Sequence, residues 1–179
     1  MSSARLSSRK GRGFTLIEMM VVVALAAILG AVAVPGFRDL LVNQRLAATT
    51  SDFVASLGLT RAEAIRHSQL VTLLPRNQDW SNGWEVATTD FDGNRVLLRA
   101  FEALRPGIAV DPRNGDGFNK FVSYDASGFS KTKSGAFGAG CLTFVAETGR
   151  RSSVVISASG RPRVCDPDKK GDCAGACGT

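Results

Sequence analysis

The chain has 179 residues, enough for one modest domain with appendages. Its formal charge of +6 overstates any general pull toward polyanions. Arg5, Arg9, Lys10 and Arg12 crowd the first 13 residues, and the remaining basic side chains exceed the 16 acidic ones by only two. A single histidine, with no nucleophile elbow and no phosphate-cradling loop, argues against an enzyme, and no metal or cofactor is expected.

Residues 1–13 read as a basic leader. Phe14 to Val34 then carries no charge except Glu18, and about 21 residues at 1.5 Å rise match a hydrocarbon core of about 30 Å. Residues 14–35 are therefore expected to form a transmembrane helix. A cleaved secretory signal also has a basic front and an apolar middle. This apolar stretch is too long for the usual signal, however, and no A-x-A site leads into a polar start. The basic leader favours the cytoplasmic side, which sends everything after Pro35 across the membrane. Glu18 is the anomaly. An unpaired carboxylate in lipid costs about 2.5–3.5 kcal/mol, so the acid asks for a cationic partner.

Pro35-Gly36 is expected to loosen the helix near the membrane exit. Residues 36–68 then form an amphipathic half, with Leu46, Thr50, Phe53, Leu57 and Ala64 at helical spacing. Arg45, Thr49, Asp52, Ser56 and Glu63 lie off that stripe. The reading is one long, bent helix from Phe14 to about Ser68. His67 follows Glu63 by four residues and is read as its surface partner.

Residues 69–165 are expected to be a globular β domain. Val71–Leu74, Trp84–Ala87, Arg95–Leu98, Phe121–Tyr124, Cys141–Val145 and Ser153–Ile156 read as short strands. Asn82-Gly83, Asp92-Gly93, Asn114-Gly115 and Ser127-Gly128 read as the turns between them. The predicted fold is α+β, a long N-terminal helix packed on a small antiparallel sheet or sandwich. Asp111 to Lys120 lacks the ligand spacing of a calcium loop and is read as a glycine-rich turn.

Residues 166–179 form a cysteine-containing tail. Cys141, Cys165, Cys173 and Cys177, placed behind a membrane span, are expected to face an oxidising compartment and to pair. Three pairings are open, and Cys141–Cys165 with Cys173–Cys177 is the favoured one. A zinc site fits less well, because two C-x₂-C pairs are missing. Positive charge also gathers here. Between Lys131 and Lys170, eight basic side chains face Glu147, Asp166 and Asp168.

GFTLIE, Gly13 to Glu18, followed by a long apolar run and Pro35, resembles the class III signal of type IV prepilins and type II secretion pseudopilins. The resemblance implies that a prepilin peptidase cuts between Gly13 and Phe14 and methylates the new Phe14 amine, while the apolar segment stays on the chain. It also implies that Glu18 pairs with the Phe14 amine of a neighbouring pilin. The implied location is the inner membrane of a Gram-negative bacterium, with the head in the periplasm, and then a pilus at the cell surface. Three further pieces resemble the GspH/FimT branch: SLGLTRAEAIRHSQLVTL leading into a strand, the turn DWSNGWEV, and ISASGRPRVC near the end.

Gly160-Arg161-Pro162-Arg163 is the most informative polar motif. Pro162 restricts Arg161 to extended geometry, and two guanidinium forks suit phosphate oxygens. FimT-type minor pilins with a C-terminal G-R-x-R are linked to binding extracellular DNA in natural transformation. That resemblance nominates Arg161 and Arg163 as contacts to double-stranded DNA. Lys131, Lys133, Arg150 and Arg151 are nominated by charge alone. Asp166 and Asp168 are the expected competitors for these arginines. Three functions stay open: a DNA-uptake minor pilin, a FimU-like minor pilin that primes pilus assembly, and a GspH-like type II secretion pseudopilin. An exposed Arg161/Arg163 pair favours the first, whereas a buried or acid-paired one favours the second or third.

Overall fold

A computed structural model describes residues 13–111, 118 and 120–173. Leader residues 1–12, the Asn114-Gly115 turn and Cys177 lie outside them. One helix, α1 (Leu16–His67), covers both expected helical halves and runs on through Pro35-Gly36. Thr15 caps its start, its Oγ1 accepting the Glu18 N–H at 3.3 Å. A compact unit begins at Asp39.

Within that unit α1 buries Val42, Leu46, Phe53, Leu57 and Ala64, close to the expected stripe. The buried face is wider than the apolar residues alone indicate. Thr49 and Ser56, expected off the stripe, are buried, as is Thr60. Two of these hydroxyls are satisfied within the helix: Ser56 donates to the Phe53 carbonyl and Thr60 to the Ser56 carbonyl, each at 2.7 Å. Such back-bonding lets a small hydroxyl sit in a core without an unmet donor. His67 lies 3.2 Å from Glu63, as their spacing predicts.

Nine strands follow among the described residues: β1 (Val71–Pro75), β2 (Trp84–Thr89), β3 (Arg95–Ala100), β4 (Ile108–Val110), β5 (Val122–Tyr124), β6 (Ser130–Lys131), β7 (Gly140–Ala146), β8 (Arg151–Ile156) and β9 (Pro162–Cys165). They form two antiparallel sheets, ordered β3-β2-β1-β5-β6 and β4-β7-β8-β9. The sequence reading lacks β4, β6 and β9, each too short to show an alternating pattern. Residues Arg76–Gln78 and Trp80–Asn82, between β1 and β2, form two short 3-10 turns.

One core joins α1 to both sheets. Its centre is the fully buried Phe53 of α1, which meets Trp80 and Trp84 edge-on at ring-centroid distances of 5.3 and 5.2 Å. Phe144 of β7 meets it from the other sheet at 5.5 Å. The W-x-x-G-W spacing therefore serves packing. Gly83, between the tryptophans, has φ +88°, and a β-carbon there would lie 2.4 Å from the Phe101 carbonyl oxygen. Only glycine fits that approach.

Candidate functional site

The candidate functional groups lie in two parts of the chain, the start of α1 and the β8–β9 hairpin. At the start of α1, Phe14 is 71% exposed and Leu16 82% exposed. The helix is long and apolar enough to cross a membrane, and among the described residues no side chain of its most apolar stretch is buried in the protein. Thr15 at the cap and Glu18 three residues on form the T-x-x-E spacing of a capping box. The Glu18 carboxylate sits in the first turn, where the helix dipole favours a negative charge. It makes no hydrogen bond or ion pair among the described residues. Among the described residues the carboxylate is therefore open to a cationic partner.

The hairpin positions the second group. Gly160 donates to the Ser157 carbonyl at 2.8 Å, and Ser157 donates to the Arg161 carbonyl at 3.2 Å, closing the turn. The turn is seated on the neighbouring β5–β6 turn, with Ser130 donating to the Ala158 carbonyl at 3.3 Å. Gly160 has φ +77°, and a β-carbon there would stand 2.3 Å from the Gly128 carbonyl oxygen and 2.9 Å from the Tyr124 ring. The glycine of G-R-P-R is thus set by close packing.

The six nominated cations separate into engaged and open side chains. Arg163 donates to the Asp172 carbonyl at 2.7 Å, with the Asp172 carboxylate 3.9 Å away. Arg151 bridges the buried Asp111 at 3.0 Å and Asp168 at 2.8 Å. Lys131 lies 3.3 Å from Asp125 and 4.0 Å from the Phe137 ring centroid. Burial works against the Asp125 carboxylate, but bonds from the Phe129 N–H, Lys131 and the Ser127 N–H prevail and hold its carboxyl below the usual aspartate value. Arg161, Lys133 and Arg150 are exposed and have no side-chain partner among the described residues.

Nor do the six form one patch. Arg150 and Arg151 stand at one end of β8 and the Arg161 turn at the other, about 20 Å apart at strand rise. Arg150 and Arg151 line a cleft of ≈ 330 Å³ that also holds Asp166 and Asp172, two carboxylates that repel phosphate. At the Arg161 end, the Ser130 bond to Ala158 brings the neighbouring Lys131 to the turn instead, with Lys133 two residues on.

The tail explains this division and corrects two expectations. Cys165 pairs with Cys173, so neither favoured disulfide forms, and Cys141 is also disulfide-bonded. The tail folds back beside Cys141 and Val155 on sheet β4-β7-β8-β9, as a small buried cluster. The tail acids that engage the arginines are Asp168, on Arg151, and Asp172, on Arg163. Asp166 instead donates its N–H to the Asp172 carboxylate at 2.8 Å. The sequence alone does not single out Asp172, since three tail aspartates compete at similar range. Thr15, which the sequence reading does not name, is signalled by its T-x-x-E spacing to Glu18.

Residues 49–160 match the family described as type II transport protein GspH. The chain belongs to the GspH family. Residues 8–34 match the prokaryotic N-terminal methylation motif, which overlaps the apolar start of α1. Prepilin peptidase-dependent protein D of Escherichia coli K12 is 38% identical over 80 residues, 45% of this chain. The chain spans about half of that relative, 52% of its length. The crystal structure of the type IV minor pilin FimU of Pseudomonas aeruginosa PAO1 matches with a TM-score of 0.54 at 17% identity, over 73% of this chain and 96% of that one. The minor pseudopilin EpsH of the Vibrio cholerae type 2 secretion system matches at 0.52 and 14% identity, over 70% and 99%. The fold of this GspH-family chain, a long N-terminal helix on antiparallel sheets, is the expected pilin-like one.

Proposed function

We propose that this GspH-family chain is a minor pilin that works as a fibre subunit and not as an enzyme. Prepilin peptidase removes residues 1–13 and methylates Phe14, and residues 14–35 hold the subunit in the inner membrane with its head in the periplasm. The subunit then enters a pilus among major and minor pilins. The observation that carries this reading is the open Glu18 carboxylate in the first turn of an exposed apolar helix. In a bundle of such helices, Glu18 meets the Phe14 amine of a neighbour, and the opposite charge offsets the cost of a carboxylate in lipid. Fibres sheared from cells test the reading: they contain the wild-type chain and lack a Glu18→Ala chain. Full assembly of Glu18→Ala contradicts the charge pairing. A FimU-like priming subunit and a GspH-like secretion pseudopilin share this chemistry, and deletion of the pilus or the secretion machine separates them.

A second reading rests on Arg161. It is exposed, followed by Pro162, which favours extended geometry, and its side chain has no partner among the described residues, whereas Arg163 and Arg151 hold the tail. In this reading the head contacts extracellular DNA during natural transformation through Arg161 and Lys133, independently of base sequence and weakened by salt. Labelled duplex is titrated with the full chain in non-ionic detergent at two salt concentrations. Absence of binding at low salt leaves the head to protein contacts, as in priming or secretion.

A further inference from the structure

We infer that the surface where the β8–β9 turn meets the β5–β6 turn is a stacking site for the unpaired bases of single-stranded DNA. This rests on the reading that the head contacts DNA, and it names the form of DNA. Phe129 and Phe137 are 41% and 61% exposed, and their rings meet edge-to-face at 5.4 Å. Neither ring belongs to the core that joins α1 to the sheets. Lys131 holds its ammonium over one face of Phe137 and, through its backbone, forms a bridge to the same residue. Most of that ring remains open.

Cations surround the pair. Gly160 and Gly128 touch backbone to backbone, and Arg161 and Phe129 each directly follow one of these two glycines. The Arg61 Nε and the exposed Ile65 side chain approach Gly128 from α1. Lys133 lies two residues beyond Lys131. Among the described residues, Arg61, Lys131 and Arg161 thus lie at these two turns with Lys133 two residues on, and Asp125 engages Lys131 at 3.3 Å, so the surface is cationic as well as aromatic.

A duplex hides its base faces in its own stack, and phosphate contacts alone make no use of exposed rings. A single strand offers phosphates and open base faces together, which is the pairing of features that aromatic–cationic surfaces bind. Each base stacked on a ring strengthens binding about tenfold or more.

The test uses the full chain in non-ionic detergent and three labelled probes of equal length: oligothymidylate, an abasic deoxyribose-phosphate strand, and a duplex. Oligothymidylate is expected to bind at least about tenfold more tightly than the abasic strand. A Phe129→Ala/Phe137→Ala chain loses that difference and keeps its duplex binding. A Phe129→Trp/Phe137→Trp chain retains the difference. Equal binding of thymidylate and abasic strands, or no effect of removing both rings, overturns the inference. If Arg161→Gln abolishes duplex binding while bases make no difference, DNA contact stands and stacking falls. If no probe binds, both fall.

Discussion

The Gly160 backbone lies so close to the Gly128 carbonyl oxygen that a β-carbon on Gly160 would stand 2.3 Å from it. The contact joins the two sheets at the turns that carry Arg161 and Phe129. A Gly160→Ala chain meets both this clash and a left-handed φ, and is expected to lose about 3 kcal/mol of stability. Denaturant unfolding measures it. An unchanged midpoint refutes the close packing.

The tail is the second joint. Breaking Cys165–Cys173 with a Cys173→Ser change opens a short loop and is expected to cost about 2–3 kcal/mol. Arg163→Ala removes a charged donor from the Asp172 carbonyl and costs less, about 1 kcal/mol, because that contact is half exposed. Amide exchange across residues 166–173 rises in both chains if the clamp is real.

Tyr124, the only tyrosine, is fully buried, and its hydroxyl makes no hydrogen bond among the described residues. Burial pushes its ionisation up to about 12, against a weaker opposing pull from Arg61. The folded state therefore keeps the proton that the unfolded chain loses near pH 10. Stability is unaffected below that point and falls as pH rises from about 10 to 12, by about 3 kcal/mol in all. A Tyr124→Phe chain is expected to match or exceed wild-type stability at pH 7 and to lose this alkaline decline.

The two arginines of G-R-P-R are expected to differ in function. Arg161→Gln lowers duplex affinity about tenfold at low salt and flattens the salt dependence. Arg163→Gln acts mainly through tail stability and leaves affinity within about twofold near neutral pH. Equal losses from both changes contradict the assignment of Arg163 to the tail.

Much of this molecule is legible in its sequence because the decisive signals are local. The apolar run from Phe14, the helical stripe through Leu46 and Leu57, and the short apolar runs of β1, β2 and β7 each report their own environment. The W-x-x-G-W spacing also points to its hairpin, although its purpose, both tryptophans edge-on to Phe53, appears only when the chain folds. What escapes is set by distant partners. Arg161 and Arg163 are two residues apart and chemically identical, yet one is open and the other holds the tail, because Asp172 returns to β9 through Cys173. The Cys165–Cys173 pairing is equally hidden, since four cysteines carry no record of which approach one another. Ser56 is misplaced for another reason, as a buried hydroxyl satisfied within a helix looks polar in a periodicity argument.

Prepilin processing is read from the intact mass and N-terminal fragmentation of the chain recovered from cells with an active prepilin peptidase. A chain that begins at N-methylated Phe14 is expected, and an uncleaved chain when the peptidase is inactive. A chain that still begins with the leader in the presence of active peptidase, or that is cut after the apolar run, contradicts that processing.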